Sequence, residues 1–270
     1  MKRRLVLAAG AAAAASFTAP GRAQGTGIFA VNDGVSYRGM SADGLERYEL
    51  LRKDLNKALG THMTIQYVSG YNKLAEGLRN GAFDMAQVHP AHHAIRAIKT
   101  GDYQLAALSK SHLNYQASFL VRQESPLTSV AMLAGGKVYA PDADSITAWL
   151  ARATVAEQIV AGKRPSFVSV RYQDAIRYAV ENKLADAGVT ASASEIRAWE
   201  SAGHRVLAVS RSIPIKHFIV NRRFRSQLDA ISTLLRAQRD TAKLSMPEGY
   251  VSFDEAVLVK AGDWLALGAA

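Results

Sequence analysis

The residues best suited to bind a ligand lie at the start of a predicted helix. Ser145, Ile146 and Thr147 follow a short apolar strand, so two hydroxyl groups stand beside backbone N–H groups that have no partner within the helix. A helix start carries a partial positive charge and suits a tetrahedral oxyanion. A simpler interpretation is that Asp144 or Ser145 only caps the helix. We predict that Ser145 and Thr147 form the core of an anion site.

Other predicted helices also begin directly after strands, where open α/β folds place their ligands. These helix starts are at residues 69–71, 89–91 and 190–192. Tyr71, in the first of them, and Tyr37 are candidates for a phenol contact or an aromatic wall, although half-buried packing is the plainer interpretation for a tyrosine.

Acidic residues near these helix starts complicate an anion site. Asp142 and Asp144 would oppose an anion unless they point away or meet an ammonium group of the ligand. Asp33 and Asp186 could meet such a group as well, although Asp186 is also placed to end a helix–strand turn.

Three histidines lie close together at 89, 92 and 93, and residues four apart share a helix face. No acidic residue lies near them in the sequence to complete a metal site, so we predict no metal ligands. We expect His89 and His93 to face the oxyanion instead. Cation binding through the cluster stays as a further hypothesis.

Several function classes lack their motifs. The sequence has no Gly-x-Ser-x-Gly, no Gly-Lys-Ser/Thr phosphate loop and no His-Glu-x-x-His, and it contains no cysteine. We therefore predict no enzymatic activity, no cofactor, no disulfide and no thiol chemistry. The net charge is +10 at pH 7, but the densest basic run is Arg222-Arg223-Phe224-Arg225, which is typical of a solvated helix start. No nucleic-acid partner is expected.

The N-terminus has the three parts of a secretory signal peptide. Lys2, Arg3 and Arg4 precede an uncharged apolar stretch over 5–17, and a small residue, Ala23, precedes the expected cleavage point. The stretch is too short to span a bilayer. We predict residues 1–23 to be a signal peptide, read by the Sec or the twin-arginine route, and a periplasmic location for the rest.

The remaining chain alternates strands and helices, which favours α/β layers with a mostly parallel sheet. Strands are predicted over 28–32, 63–68, 85–88, 105–109, 117–122, 137–140, 167–171, 187–190, 206–210 and 217–221. Helices are predicted over 43–59, 71–80, 145–160, 172–182, 195–202, 225–244 and 254–267, with another that begins at Pro90.

The chain also contains an internal repeat. The segment 78–86 is similar to 180–188, and each has an Asn, a turn and an Asp before a strand. The repeat predicts two similar lobes with a ligand cleft between them.

The order of these motifs resembles the phosphate/phosphite/phosphonate-binding proteins of ABC importers. The matching segments are the helix at 47–60, the helix and strand at 71–88, Pro90 to His93, the loop and helix start at 141–149, Ala185 to Gly188, and Ser212 to Pro214. The sequence departs from the family pattern at His89 for a glycine, at Ala148 for a glycine, and at His93 and Trp149 for tyrosines.

The resemblance implies the type II periplasmic binding fold, an α/β fold with two lobes and two hinge crossings. We expect lobe 1 at 24–121 plus 214–270 and lobe 2 at 122–213. The implied function is capture of a phosphonate, phosphite or phosphate-like oxyanion by a monomer that serves an ABC permease. The alternative is a ligand sensor for a membrane histidine kinase. The expected ligand contacts are Ser145, Ile146, Thr147, Tyr71, His89, His93 and Tyr37.

Overall fold

The structure is a computed structural model that describes residues 26–34, 42–238 and 248–269. The predicted signal segment and Tyr37 lie outside these residues. Strands run in the order β1 (Gly27–Asp33), β2 (Met63–Tyr67), β3 (Met85–His89), β4 (Tyr103–Ser109), β5 (Ser118–Val121), β6 (Lys137–Ala140), β7 (Ser166–Ser169), β8 (Ala187–Thr190), β9 (Arg205–Val209), β10 (His217–Asn221) and β11 (Tyr250–Val251).

The α-helices connect these strands as predicted, with one correction. They are α1 (Ala42–Leu59), α2 (Tyr71–Arg79), α3 (Ala91–Lys99), α4 (Ile146–Gln158), α5 (Gln173–Glu181), α6 (Ala193–Ser201), α7 (Leu228–Ala237) and α8 (Glu255–Ala266). The helix predicted over 225–244 begins later, after a 3-10 segment at Arg222–Gln227, and Gln238 ends it with extended backbone. Residues 239–244 of that prediction lie outside the described chain.

The strands form two sheets, as the repeat predicts. Their orders are β11-β4-β10-β3-β1-β2 and β7-β6-β8-β5-β9. Both sheets are mixed: the pairs β1–β2, β1–β3, β6–β7 and β6–β8 are parallel, as expected, whereas β10 is antiparallel to both its neighbours in the first sheet and β5 to both in the second. Each of these two strands follows a crossing from the other sheet, so it enters from the cleft side and runs in the opposite direction.

The crossings lie side by side. Between them, Tyr115 and Ile213 exchange two backbone hydrogen bonds of 3.0 Å. Strand β5, which was predicted in lobe 1, pairs within the second sheet. The first crossing therefore lies between β4 and β5, ahead of the expected position near Arg122. The sequence could not show this, because apolar patterning does not reveal which sheet a strand joins. The exact lobe limits stay a prediction.

The repeated segments occupy equivalent positions in the two sheets. Asp84 Oδ2 accepts the backbone N–H of Ile28 at the start of β1 at 2.8 Å, and Asp186 Oδ2 accepts that of Lys137 at the start of β6 at 2.7 Å. Both carboxylates thus fix the same strand pairing, β1 with β3 and β6 with β8. Asp84 is buried and also accepts the Arg223 guanidinium at 2.7 Å.

Apolar side chains cover both faces of the first sheet. Helices α1 and α7 pack on one face, with Leu51, Leu55 and Leu235 fully buried. Helices α2, α3 and α8 supply the other face, and their core continues into α4 and the second sheet. None of the helices in the described part of the chain has the length and apolar run that crossing a bilayer requires.

We predict that Asp84→Ala lowers the free energy of unfolding by about 2–3 kcal/mol, because the Ile28 N–H loses its acceptor and Arg223 loses its partner. Asp186→Ala is the matched control at an exposed position and should cost only about 1 kcal/mol. Urea unfolding measures both. Equal losses in the two variants would contradict this account.

Candidate functional site

A cavity of about 270 Å³ lies between the two sheets. Its walls come from the ends of β1 and β3 and the start of α2 on one side, and from the loops that lead into α4 and α5 on the other. The lining residues are Asp33, Gly34, Tyr71, His89, Tyr115, Pro141, Asp142, Ser145, Ile146, Thr147, Arg171 and Gln173. The lining includes three of the helix starts at which the sequence predicts a ligand, near residues 71, 89 and 145–147, and adds the loop after β7.

Ser145 caps α4 and still offers a proton to the cavity. Its Oγ accepts the backbone N–H of Ala148 at 3.2 Å. Because that bond uses a lone pair of the hydroxyl, the O–H hydrogen is left to donate. The two interpretations of Ser145, as a cap and as a ligand contact, are therefore compatible. The N–H groups of Ile146 and Thr147 belong to the first turn, where the helix itself provides no acceptor.

Thr147 works as a pair with a tyrosine that the sequence did not single out. The Thr147 and Tyr115 hydroxyls lie 2.9 Å apart, and either can be the donor. One proton joins the two oxygens, so one O–H remains available to a ligand in both arrangements. Tyr115 belongs to the hinge crossing, and its burial raises the pKa of its phenol, which keeps it a donor.

His89 presents an acceptor to the cavity. Its Nδ1 lies 3.3 Å from the carbonyl oxygen of Ile215, which can only accept, so Nδ1 carries the proton and Nε2 of the neutral ring is unprotonated. Burial, and then the nearby Lys216 ammonium, lower the pKa of His89 to about 3. Gly34 packs on this ring: a Cβ there would lie 2.9 Å from Cδ2, and its φ of 108° favours glycine.

The acidic residues have separate roles. Asp33 is paired with Lys216, which offsets its charge at the cavity wall. Asp142 is exposed at the cavity, where its Oδ1 accepts the Asp144 N–H at 2.9 Å. Asp186 directly precedes β8, its carboxylate accepts the N–H of Lys137 at the start of β6, and it does not line the cavity, so it ends a turn as in the plainer interpretation.

Two polar residues of the cavity follow β7 and were not predicted. Gln173 begins α5, and its Oε1 accepts the Thr190 hydroxyl at 2.9 Å, which leaves the amide N–H groups as its remaining donors. Arg171 adds a guanidinium to the lining. Their position after a strand end could have indicated a ligand contact. The loop contains no pair of hydroxyl residues like Ser145 and Thr147, so the sequence alone did not single it out. The helix start at 190–192 contributes only through Thr190.

His92, His93 and Asp144 form a second cluster beside the cavity. His92 Nε2 lies 3.0 Å from Asp144 Oδ1, and His93 Nε2 lies 3.0 Å from Oδ2. Trp149 Nε1 donates to Oδ1 at 3.1 Å. Burial would raise the pKa of Asp144, but the two histidine hydrogen bonds outweigh it and hold that pKa well below its usual range. Asp144 is thus turned towards α3 and does not line the cavity.

The structure brings together five of the seven predicted contacts: Tyr71, His89, Ser145, Ile146 and Thr147. His93 does not line the cavity, because its imidazole turns to Asp144 and packs 6.0 Å from the Tyr71 ring. Tyr37 lies outside the described residues. Their roles as ligand contacts stay predictions.

Three histidines should make the protein less stable in acid. Burial lowers the pKa of His217 to about 3 and that of His92 to about 4, as it does for His89. Because these values lie below that of an unfolded histidine, the unfolded chain takes up protons first as the pH falls. Above about pH 6.5 these groups do not lower the free energy of unfolding. Below it, each group lowers that free energy by up to about 1.4 kcal/mol per pH unit until its folded pKa is reached.

Urea unfolding at about pH 7.5 and about pH 5 tests this pH dependence. We expect a clear loss of unfolding free energy at the lower pH, and a smaller loss in His217→Leu, since the leucine removes one of the three groups. A free energy that stays constant between the two conditions would be inconsistent with neutral, buried imidazoles.

Comparison with known proteins identifies relatives of the same architecture. The family described as ABC transporter, phosphonate, periplasmic substrate-binding protein matches residues 35–256. XAC2383 from Xanthomonas citri, solved bound to ATP, has a TM-score of 0.69 at 12% identity and covers 90% of this chain and 98% of its own. No curated protein matches in sequence.

A phosphonate-binding protein is also similar in structure. PhnD1 from Prochlorococcus marinus, in complex with methylphosphonate, has a TM-score of 0.56 at 15% identity and covers 88% of this chain and 96% of its own. A binding protein component of an ABC phosphonate transporter from Pseudomonas aeruginosa has a TM-score of 0.52 at 16% identity, covering 89% and 86%. At these identities the likeness shows the fold, which is the type II periplasmic binding fold.

The family match extends over most of the chain, and the two-sheet fold agrees with it. Members of this family are binding proteins of transport systems, located outside the cytoplasm, that capture a small ligand and work with an ABC permease. The chain therefore belongs to the periplasmic substrate-binding proteins of the phosphonate ABC transporter family.

Proposed function

We propose that this protein captures a small phosphonate for an ABC importer, after export directed by residues 1–23. The observation that carries the proposal is the division of the cavity into donors and acceptors. Hydroxyl and N–H donors line the α4 side, where Ser145 and the Thr147–Tyr115 pair lie. Two acceptors complete the lining: Nε2 of His89 on the side of the first sheet, and the exposed carboxylate of Asp142 in the loop before α4.

Such a cavity suits an oxyanion that also carries a hydrogen to donate. A phosphonate that keeps one proton can accept from the α4 side and donate to His89 Nε2. An aminophosphonate can also direct its ammonium group to Asp142. A sulfonate has the same tetrahedral shape but no such proton at neutral pH, so it would leave His89 without a donor. Chemical complementarity therefore favours phosphonates over sulfonates.

The cavity lies where the two sheets face each other, so ligand binding and lobe movement are coupled in this proposal. Contacts to Ser145 and Thr147 come from the second sheet's side, and those to Tyr71 and His89 come from the first. A ligand held by both sides stabilises the closed arrangement, and closure about the paired crossings presents a surface to the permease. The likeness to a methylphosphonate-bound protein supports this ligand class.

The first experiment compares ligands by calorimetry. We expect methylphosphonate and 2-aminoethylphosphonate to bind, and methanesulfonate to bind at least tenfold more weakly, since a hydrogen bond to a charged group is worth about 1.5–3 kcal/mol. His89→Asn keeps a donor for the Ile215 carbonyl and removes the Nε2 acceptor. It should weaken phosphonate binding and leave sulfonate binding unchanged. Sulfonate binding as tight as phosphonate binding would rule the proposal out.

The second experiment tests the α4 contact with a matched pair of caps. Ser145 and Ser192 both cap a helix through Oγ, at Ala148 N–H and Glu195 N–H, and only Ser145 lines the cavity. Each change to alanine should cost about 1 kcal/mol of stability. Ser145→Ala should also weaken methylphosphonate binding by about ten- to a hundredfold, whereas Ser192→Ala should not.

Ser145→Asp sharpens the comparison, because aspartate caps a helix as well as serine does but places a carboxylate in the anion site. We expect this variant to keep the stability of the parent and to lose phosphonate binding. If it binds methylphosphonate as the parent does, the anion is held elsewhere and the assignment of Ser145 fails.

A further inference from the structure

We infer that His92, His93 and Asp144 form a binding site for a divalent transition metal at the junction of the two sheets. The histidines lie on α3, which packs on the first sheet, and Asp144 lies in the turn between β6 and α4 of the second. The sequence offered no acidic partner near the histidines. The fold brings Asp144 to the histidines from about fifty positions away in the sequence. His89 is not part of this cluster, because its ring lines the cavity between the sheets.

The spacing of the donor atoms suits a small metal ion. One ligand atom from each of the three residues lies within 4.8 Å of the others, and each imidazole Nε2 lies 3.0 Å from a carboxylate oxygen. Ligand atoms around a tetrahedral zinc ion are about 3.3 Å apart, given metal–ligand bonds of about 2.0–2.1 Å. A metal here would bind Nε2 of each ring in its Nδ1–H tautomer, so the Nε2 proton that now joins the ring to Asp144 moves to Nδ1 of the same ring. The donor atoms would have to shift by no more than about 1.5 Å to reach tetrahedral spacing. About a third of the Asp144 side chain is exposed, so a metal ion can reach the cluster from solvent.

The surroundings hold the three groups in place. Trp149 donates its indole N–H to Asp144 Oδ1 at 3.1 Å, and its ring stacks on His92 with centroids 4.5 Å apart. A hydrogen bond to a ligating carboxylate from outside the first shell is a usual feature of metal sites. Both imidazoles are buried, so the packing around them restricts the movement of their rings.

The donor set and the nearby charges also indicate which metals fit. Two imidazoles and one carboxylate suit zinc, nickel or copper, whereas magnesium and calcium prefer sites made of oxygen alone. Arg96 and Arg152 lie over the Trp149 ring, 5.8 and 5.3 Å from its centroid, and their charge opposes a cation. We therefore expect selectivity for metals that bind imidazole strongly. A bound metal would join α3 to the start of α4 and hold the two sheets together.

The test is titration of the full exported chain, purified without a histidine tag, with zinc chloride. We expect one equivalent of zinc to bind, and His93→Ala and Asp144→Asn each to weaken it at least a hundredfold. His62→Ala, at an exposed histidine away from the cluster, should bind as the parent does. Trp149→Phe keeps the stacking, removes the indole N–H and should weaken zinc binding by about ten- to a hundredfold.

Cobalt gives a second readout, because absorption bands in the visible range report a site of nitrogen and oxygen ligands and should be lost in His93→Ala. The inference is overturned if the parent binds no zinc at stoichiometric concentration, or if Asp144→Asn and His93→Ala bind it as well as His62→Ala does. Methylphosphonate titrations of the same samples keep the two proposals separate, since neither result requires the other.

Discussion

The backbone hydrogen bonds between Tyr115 and Ile213 hold the two crossings side by side, and the geometry of the cavity depends on them. Tyr115 is fixed there by its main chain, while its phenol reaches Thr147 at the start of α4. On the other crossing, the carbonyl of Ile215 orients the His89 ring. The two crossings therefore position one donor and one acceptor of the cavity directly, so a change in the crossings would alter the site.

The internal repeat explains why the cavity has two unlike walls. Asp84 and Asp186 fix the same strand pairing in each sheet, and each sheet receives one reversed strand from the other side. The strand ends of both sheets consequently face one gap. The side chains at those ends differ between the halves: His89 on one side, and the hydroxyls of Ser145 and Thr147 on the other.

Much of the fold could be predicted, because its signals are local. Each signal is contained in a short stretch of sequence. Examples are the apolar periodicity of α1, the Asp that precedes β3 and β8, and the hydroxyl residues that begin α4. What could not be predicted depends on contacts between distant segments. The partner sheet of β5, the Tyr115–Thr147 pair and the Gln173–Thr190 bond join residues that no local pattern connects. His93 was misplaced for the same reason, since its partner Asp144 lies 51 positions away.

Asp144 also resolves an electrostatic conflict that the sequence raises. A carboxylate next to Ser145 would repel an anion at the start of α4, yet Asp144 accepts N–H groups from His92, His93 and Trp149 and is turned towards α3. Its charge is thus met by three donors on the α3 side, while the N–H groups at the start of α4 remain available to the cavity. Asp142 has no such arrangement and stays at the cavity wall. The two acids are two positions apart, and of the pair only Asp142 lines the cavity, where the proposed ligand would direct a positively charged group to it.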